Sequence, residues 1–162
     1  MKPINAGLLG IGTVGSGTWD VLQRNASEIE RRAGRGIRIS RVADKDVKKA
    51  DSLVKGKAKI TPDACEVVRA RDIDIVIELI GGTTIARDLV LEAIRHGKHV
   101  VTTNKALLAT HGNEIFKAAQ KKGVMVAFEA SVAGGIPIIK ALREGLTANR
   151  IQWIAGIING TT

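Results

Sequence analysis

Aromatic side chains are almost missing from this chain: two Phe, two Trp and no Tyr among 162 residues. The core must therefore be aliphatic, and a base-stacking platform for single-stranded nucleic acid lacks its raw material. Cysteine is reduced to Cys65, which excludes an internal disulfide framework and suits a reducing compartment. No apolar run approaches the ~18 residues of a membrane-crossing helix. The opening Met1-Lys2-Pro3-Ile4 carries no apolar signal stretch. A cytoplasmic protein without a membrane partner is the expectation. Positive charge is in excess, at +9 net. With the lysines and arginines scattered over presumed helix faces and turns, it reads as a solvated basic surface, and no nucleic-acid partner is expected. Such a field favours capture of anionic ligands. The length suits one domain, burying roughly 70% of the surface its unfolded chain exposes.

Glycine is plentiful, and its placement is informative. Gly10-Ile11-Gly12-Thr13-Val14-Gly15 follows an apolar run, Ile4–Leu9, and precedes a segment with Val14, Val21, Leu22 and Ile29 at helical spacing. In that context Gly10 permits a tight turn, Gly12 lets the backbone approach a pyrophosphate, and Gly15 lets the helix pack against the strand. The unpaired N–H groups and positive end of the new helix face the phosphates. Gly10, Gly12, Thr13, Val14 and Gly15 are the candidate dinucleotide contacts.

Short apolar strands alternate with amphipathic helices along the rest of the chain. The pattern predicts strands at Ile4–Leu9, Ile37–Ala43, Lys59–Thr61, Ile73–Leu79, Val100–Thr102, Val124–Ala130 and Ile151–Ile158. One helix is expected from Thr13 to about Arg32, and another starting at Thr61-Pro62 with Thr61 as its cap. Thr84 is read as capping a third helix, with Ile85, Leu89, Ala93 and Ile94 inward and Gly97 as its end. Thr110 caps a fourth, which carries Ile115, Phe116 and Ala119 to Gly123, and a fifth runs from Pro137 to about Leu146. Strand–helix–strand repetition implies a Rossmann-type α/β fold: a doubly wound, mostly parallel sheet with helices on both faces. Its ligand should sit at the carboxyl ends of strands one and four, where the strand order reverses.

Three later segments narrow the reading. They are Val76-Ile77-Glu78-Leu79-Ile80-Gly81-Gly82, then Val101-Thr102-Thr103-Asn104-Lys105-Ala106-Leu107-Leu108-Ala109, then Phe128-Glu129-Ala130-Ser131-Val132-Ala133-Gly134-Gly135-Ile136-Pro137. With the terminal Asn159-Gly160-Thr161-Thr162, they resemble homoserine dehydrogenase, in order and over essentially the whole chain. The resemblance implies NAD(P)-dependent interconversion of L-homoserine and L-aspartate 4-semialdehyde, on the route to threonine, methionine and isoleucine. Family members continue past Asn-Gly-Thr-Thr into a second domain with a catalytic Asp and Lys and most of the dimer interface. Residues 1–162 are therefore read as the NAD(P)-binding domain. From about residue 151 the chain leads into a substrate and dimerisation domain of a homo-oligomeric enzyme. By itself the chain is expected to bind cofactor and not to turn over. The alternative is a dinucleotide-binding sensor without chemistry of its own.

By resemblance, Lys105 lies between nicotinamide and substrate, where a cation stabilises charge on the reacting oxygen; from position alone it is equally a solvated loop lysine. Gly81, Gly82 and Thr103 join it as contacts on the nicotinamide side. Glu129, Val132, Gly134 and Ile136 match positions that hold a monovalent cation, usually sodium, chiefly through backbone carbonyls; spacing alone makes Glu129 a helix-start acid. Glu78, inside an apolar strand, is as readily structural as functional. His96, His99 and His111 lack paired metal spacing, and Cys65 reads as a packed thiol. Asp44 ends strand two, where an acid accepts hydrogen bonds from the adenosine ribose. Lys45, with Lys48, Lys49, Lys55, Lys57 and Lys59 beyond it, could pair a 2′-phosphate, so NAD is expected with NADP tolerated.

Overall fold

The computed structural model describes residues 2–156. Six strands, β1 (Ile4–Leu9), β2 (Ile37–Ala43), β3 (Lys59–Thr61), β4 (Ile75–Glu78), β5 (His99–Thr102) and β6 (Val126–Ala127), form one sheet in the order β3-β2-β1-β4-β5-β6. Every pair is parallel. The order reverses between β1 and β4, as expected for a doubly wound sheet. The helices are α1 (Thr13–Arg24), α2 (Ala26–Ala33), α3 (Val47–Val54), α4 (Ala64–Arg69), α5 (Thr84–Arg95), α6 (Lys105–Lys122) and α7 (Ile138–Lys140), the last running on into a π-turn at Ala141–Gly145.

Alternation along the strands divides the core in two. Ala6 and Leu8 face Trp19 of α1 and Ala50 and Val54 of α3. Leu9, Val76 and Val100 face Val67 and Val68 of α4, the inner side of α5, and Leu107 and Ile115 of α6. Each fully buried aliphatic side chain contributes roughly 1.5–3 kcal/mol. On β2 the period slips: Ala6 pairs with Ile39 but Gly7 with Arg41, leaving Ser40 as an extra residue. That bulge is why Ile39 and Val42, three apart, serve the same core. Among the described residues, the Ser40 hydroxyl is buried without a hydrogen-bond partner.

Several elements differ from the sequence expectation, each for a local reason. The first helix is two, because Asn25 (φ −104°, ψ 19°) interrupts it; Asn favours helix ends over interiors. Val14 and Val21 lie outward, and the buried face is Gly15 and Trp19. α4, the helix expected to start at Thr61-Pro62, is capped by Asp63, whose Oδ1 accepts from Cys65 N at 2.8 Å, not by Thr61. Leu89, Ala93 and Ile94 of α5 point inward as expected, but Ile85 is exposed and Ala86 and Val90 join the buried face. α6 begins at Lys105 under an Asn104 cap, and the Thr110 hydroxyl donates back to Ala106 O within it. The strong helix formers Lys-Ala-Leu-Leu-Ala carry the helix that far upstream. α3 was not anticipated. β6 is only two residues long, and residues 151–156 form no strand. The rest of that expected strand, and Asn159-Gly160-Thr161-Thr162, lie outside the described residues.

α4 and α5 are joined at the surface through Glu92, which accepts from Arg69 at 2.9 Å and pairs with His96 and Arg95. The Arg69 guanidinium holds the Glu92 carboxyl below the usual carboxylate range, against the opposing effect of burial. A carboxyl depressed on folding stabilises the native state above its unfolded pKa and loses that contribution as pH falls through the folded one. Glu92→Gln is therefore expected to be slightly less stable than the parent at pH 7, with the gap closing below about pH 4. Urea titrations across pH 7 to 2.5 check this; a gap that persists at the acid end refutes it.

Candidate functional site

Residues 10–15 leave β1 at the reversal point and start α1. Gly10 has φ +90°, and a Cβ there would lie 2.9 Å from the Leu79 carbonyl oxygen at the end of β4. A Cβ on Gly15 would fall inside the envelope of the Gly10 carbonyl oxygen. Both glycines are thus required by packing. Gly12 differs: its φ is −64°, open to any residue, and its Cβ position has nothing within 4 Å. The open space lies at the start of α1, which has neither a side-chain cap nor an acid in its first turn. Thr13 and Val14 are exposed there. Bare N–H groups beside an unfilled backbone cradle fit an anionic group such as a pyrophosphate.

Asp44, directly after β2, holds this loop. Its Oδ2 accepts from Ile11 N at 2.7 Å and its Oδ1 from Asp46 N at 2.9 Å. Gly10 N donates to Ala43 O at 2.8 Å. Lys45 is exposed beside it, with Lys48 and Lys49 on α3. Asp44 is therefore a loop anchor in addition to whatever it offers a ribose, since each carboxylate oxygen has a second lone pair.

Beyond β4 a second polar cluster forms. Glu78 has no exposed surface. Its Oε1 accepts from Ile80 N at 2.9 Å and Gly81 N at 3.3 Å, and its Oε2 accepts from the Thr102 hydroxyl at 2.6 Å. Thr102 Oγ1 in turn accepts from Asn104 N at 3.0 Å. The Asn104 side chain donates to Gly82 O at 2.6 Å and accepts from Leu107 N at 3.0 Å. Gly81 and Gly82 both have positive φ, +80° and +72°, with nothing where a Cβ would be. Thr103 is half-buried, and Lys105 is exposed as the first residue of α6. Glycine turn, β4 loop and Lys105 thus share the carboxyl edge of the sheet.

The turn after β6 joins this edge through Ser131 Oγ, which donates to Thr102 O at 2.9 Å. The Glu129 carboxylate accepts from Ile139 N and Lys140 N at 2.9 and 2.8 Å, so its side chain starts α7. Val132, Gly134 and Ile136 are exposed around Ala133 (φ +45°) and Gly135 (φ +84°). Among the described residues no three His, Cys, Asp or Glu side chains cluster to hold a metal. A groove of about 750 Å³ runs along β6 between Phe116, Phe128 and Arg143, and no residue of the glycine turn lines it.

Asn104 and Thr102 are site residues that the sequence reading did not single out. The Asn104 signal was available, an amide one residue before a run of helix formers; the Thr102 signal was not, because it depends on the register of β5 against β4.

The family model described as "Homoserine dehydrogenase, NAD binding domain" matches residues 10–129. The homoserine dehydrogenase of Pseudomonas aeruginosa is 61% identical over 99% of this chain and 37% of its own length. That of Neisseria gonorrhoeae is 60% identical over 100% of this chain, again 37% of its own length. The crystal structure of a homoserine dehydrogenase from Thiobacillus denitrificans superposes with a TM-score of 0.86 and 64% identity, covering 92% of this chain and 34% of that one. The chain thus spans about 37% of the length of the relatives it matches.

Because Gly12 and Gly15 differ in what surrounds them, their variants should separate. Gly12→Val is expected to keep the parent's thermal stability while NAD affinity collapses in calorimetry. Gly15→Ala forces the loop from the helix and should lose about 1–3 kcal/mol of stability in urea melts. Folded Gly12→Val with parental NAD affinity would count against the cradle.

Proposed function

The chain belongs to the homoserine dehydrogenase family and forms its NAD-binding domain, and from that premise we propose that it serves NAD(P)-dependent interconversion of L-homoserine and L-aspartate 4-semialdehyde in threonine, methionine and isoleucine biosynthesis. The observation carrying the proposal is the open space over Gly12 at the uncapped start of α1. The dinucleotide, when bound, supplies the hydride carrier. Gly10, Gly12, Thr13, Val14 and Gly15 take its pyrophosphate, and Gly81, Gly82 and Thr103 border the nicotinamide side. Lys105 hydrogen-bonds the reacting oxygen of the substrate and stabilises the negative charge that develops there.

Lys105 has support of its own. A cation in the first turn of a helix opposes the macrodipole, at a cost of about 0.3–1 kcal/mol, and such local conflicts are expected at functional positions. The catalytic Asp and Lys pair, the rest of the substrate wall and the homo-oligomer contacts are assigned to the part of the family this chain does not match, and the location to the cytoplasm. Sodium belongs to the same proposal, on the main-chain carbonyls of Glu129, Val132, Gly134 and Ile136. The two Glu129 oxygens already serve α7, which leaves a carbonyl donor set suited to a hard cation.

Two experiments test the reading. In the full-length enzyme, Lys105→Ala is expected to leave thermal stability equal or slightly raised while homoserine-dependent NAD(P)H formation falls by about a hundredfold or more. The 162-residue chain alone should bind dinucleotide without turnover; robust turnover by it, abolished by Lys105→Ala, overturns this assignment of roles. For cofactor choice, we propose that NAD is preferred and NADP tolerated. A 2′-phosphate near Asp44 meets repulsion of about 1 kcal/mol in water and about 4 at an effective dielectric of 20, offset by Lys45 and the α3 lysines. Since Asp44 also anchors Ile11 N, Asp44→Ala should weaken both cofactors, NAD more than NADP. A fixed ratio of the two dissociation constants would leave Asp44 as a loop anchor alone.

A further inference from the structure

The hydrogen bonds around Glu78 close a ring. From its carboxylate they run to Ile80 N and Gly81 N, through the chain to Gly82 O, across to Asn104 Nδ2, from Asn104 N to the Thr102 hydroxyl, and back to Glu78. Each member has the right polarity. Two backbone N–H groups and one hydroxyl proton point at an acceptor-only group, and the hydroxyl passes its own acceptor capacity to Asn104. The ring sits at matched ends of neighbouring strands, since Glu78 pairs with Thr102 in register. It joins the two segments that border the nicotinamide half, the Ile80–Gly82 turn and the start of α6 with Lys105.

We infer that Glu78 is the positioning residue of the nicotinamide half of the site. Through Thr102 and Asn104 it sets the β4 turn and Lys105 as one unit, while the adenosine–pyrophosphate half is held separately by Asp44 and the glycine turn. The inference rests on the dinucleotide reading and deepens it. The physical reason is that, among the described residues, the Ile80–Gly82 turn is tied to the start of α6 through this ring. Gly81 and Gly82 are exposed at positive φ with open space around them, a backbone free to sample many conformations unless its N–H groups are held. A glutamine at 78 reproduces the shape but not the polarity. With its oxygen serving Ile80 and Gly81, its NH2 faces Thr102 Oγ1, which must then accept from both sides and turn its proton elsewhere.

The experiment compares two ligands. ADP reports on the adenosine–pyrophosphate half, and NAD on both halves. Calorimetry on the 162-residue chain measures both dissociation constants in the parent, Glu78→Gln, Thr102→Val and Thr102→Ser, with a thermal melt of each. NAD affinity is expected to fall about tenfold or more relative to ADP in Glu78→Gln and Thr102→Val, with ADP changed less than about twofold. Thr102→Ser, which keeps the hydroxyl, should recover most of the loss. If Glu78→Gln does not fold, the Thr102 pair carries the test. Equal weakening of ADP and NAD, or an unchanged ratio, overturns the inference while leaving the dinucleotide reading standing. A parent that binds neither ligand overturns both.

Discussion

A carboxyl group with no exposed surface, set among aliphatic strands, persists only where donors surround it, because an unpartnered polar group so placed costs several kcal/mol, on the order of 2–7. Glu78 meets that condition with two backbone N–H groups and the Thr102 hydroxyl. Satisfying it dictates the shape of the carboxyl edge of the sheet. The chain after β4 must turn at once, bringing Ile80 and Gly81 back over their own strand. β5 must end with a hydroxyl opposite Glu78, and Asn104 must follow it closely enough to use that hydroxyl as an acceptor. The amide that starts α6 is thereby placed, and with it Lys105. A buried, fully partnered network of this kind specifies one arrangement, since any slip strands a polar group in the core.

The first half of the domain solves the same problem by other means. Its loop is held by packing, Gly10 against Leu79 and Gly15 against Gly10, with the partly exposed Asp44 anchoring Ile11 N and Ala43 O accepting from Gly10 N. The two halves meet where Leu79 N donates to Leu9 O at 2.9 Å and the Leu79 carbonyl leaves no room for a Cβ on Gly10. Around that seam the chain departs from what helices ordinarily prefer. α1 starts without a side-chain cap, and α6 starts with a cation behind its Asn104 cap; α3 and α4 are capped by Asp46 and Asp63. A bound anion at the bare start of α1 would complete its electrostatics.

Much of this was legible in the chain itself. The Gly10–Gly15 spacing after an apolar strand announced the turn, and Gly10 and Gly15 have the packing roles their places implied. Lys59–Thr61 and Ile37–Ala43 emerge as strands with those bounds, because β-rich runs bracketed by glycine, lysine and proline have few alternatives. Gly123 ends α6 in the left-handed region as its position suggested. Where the pattern misled, competition between neighbours decided. Thr61 and Asp63 both suit a helix start, and the acid won, with the Thr61 hydroxyl accepting from Asp63 N instead. Thr110 lost to Asn104 because five good helix formers lie between them. Val14 and Val21 counted toward an apolar stripe, yet Trp19 occupies the core beneath α1.

Legible in the order of residues alone are the alternation of strand and helix, the glycine turn, and the motifs of the family. Periodicity and turn chemistry act over a few residues, so a linear reading captures them. Which side chains meet was left to the tertiary structure. The bulge at Ser40 decides which core Ile39 and Val42 share. The pairing of β4 with β5 brings Glu78 onto Thr102, 24 residues away. Contacts of that range follow from strand register and from the need to satisfy buried polar groups. Neither leaves a local trace in the order of residues.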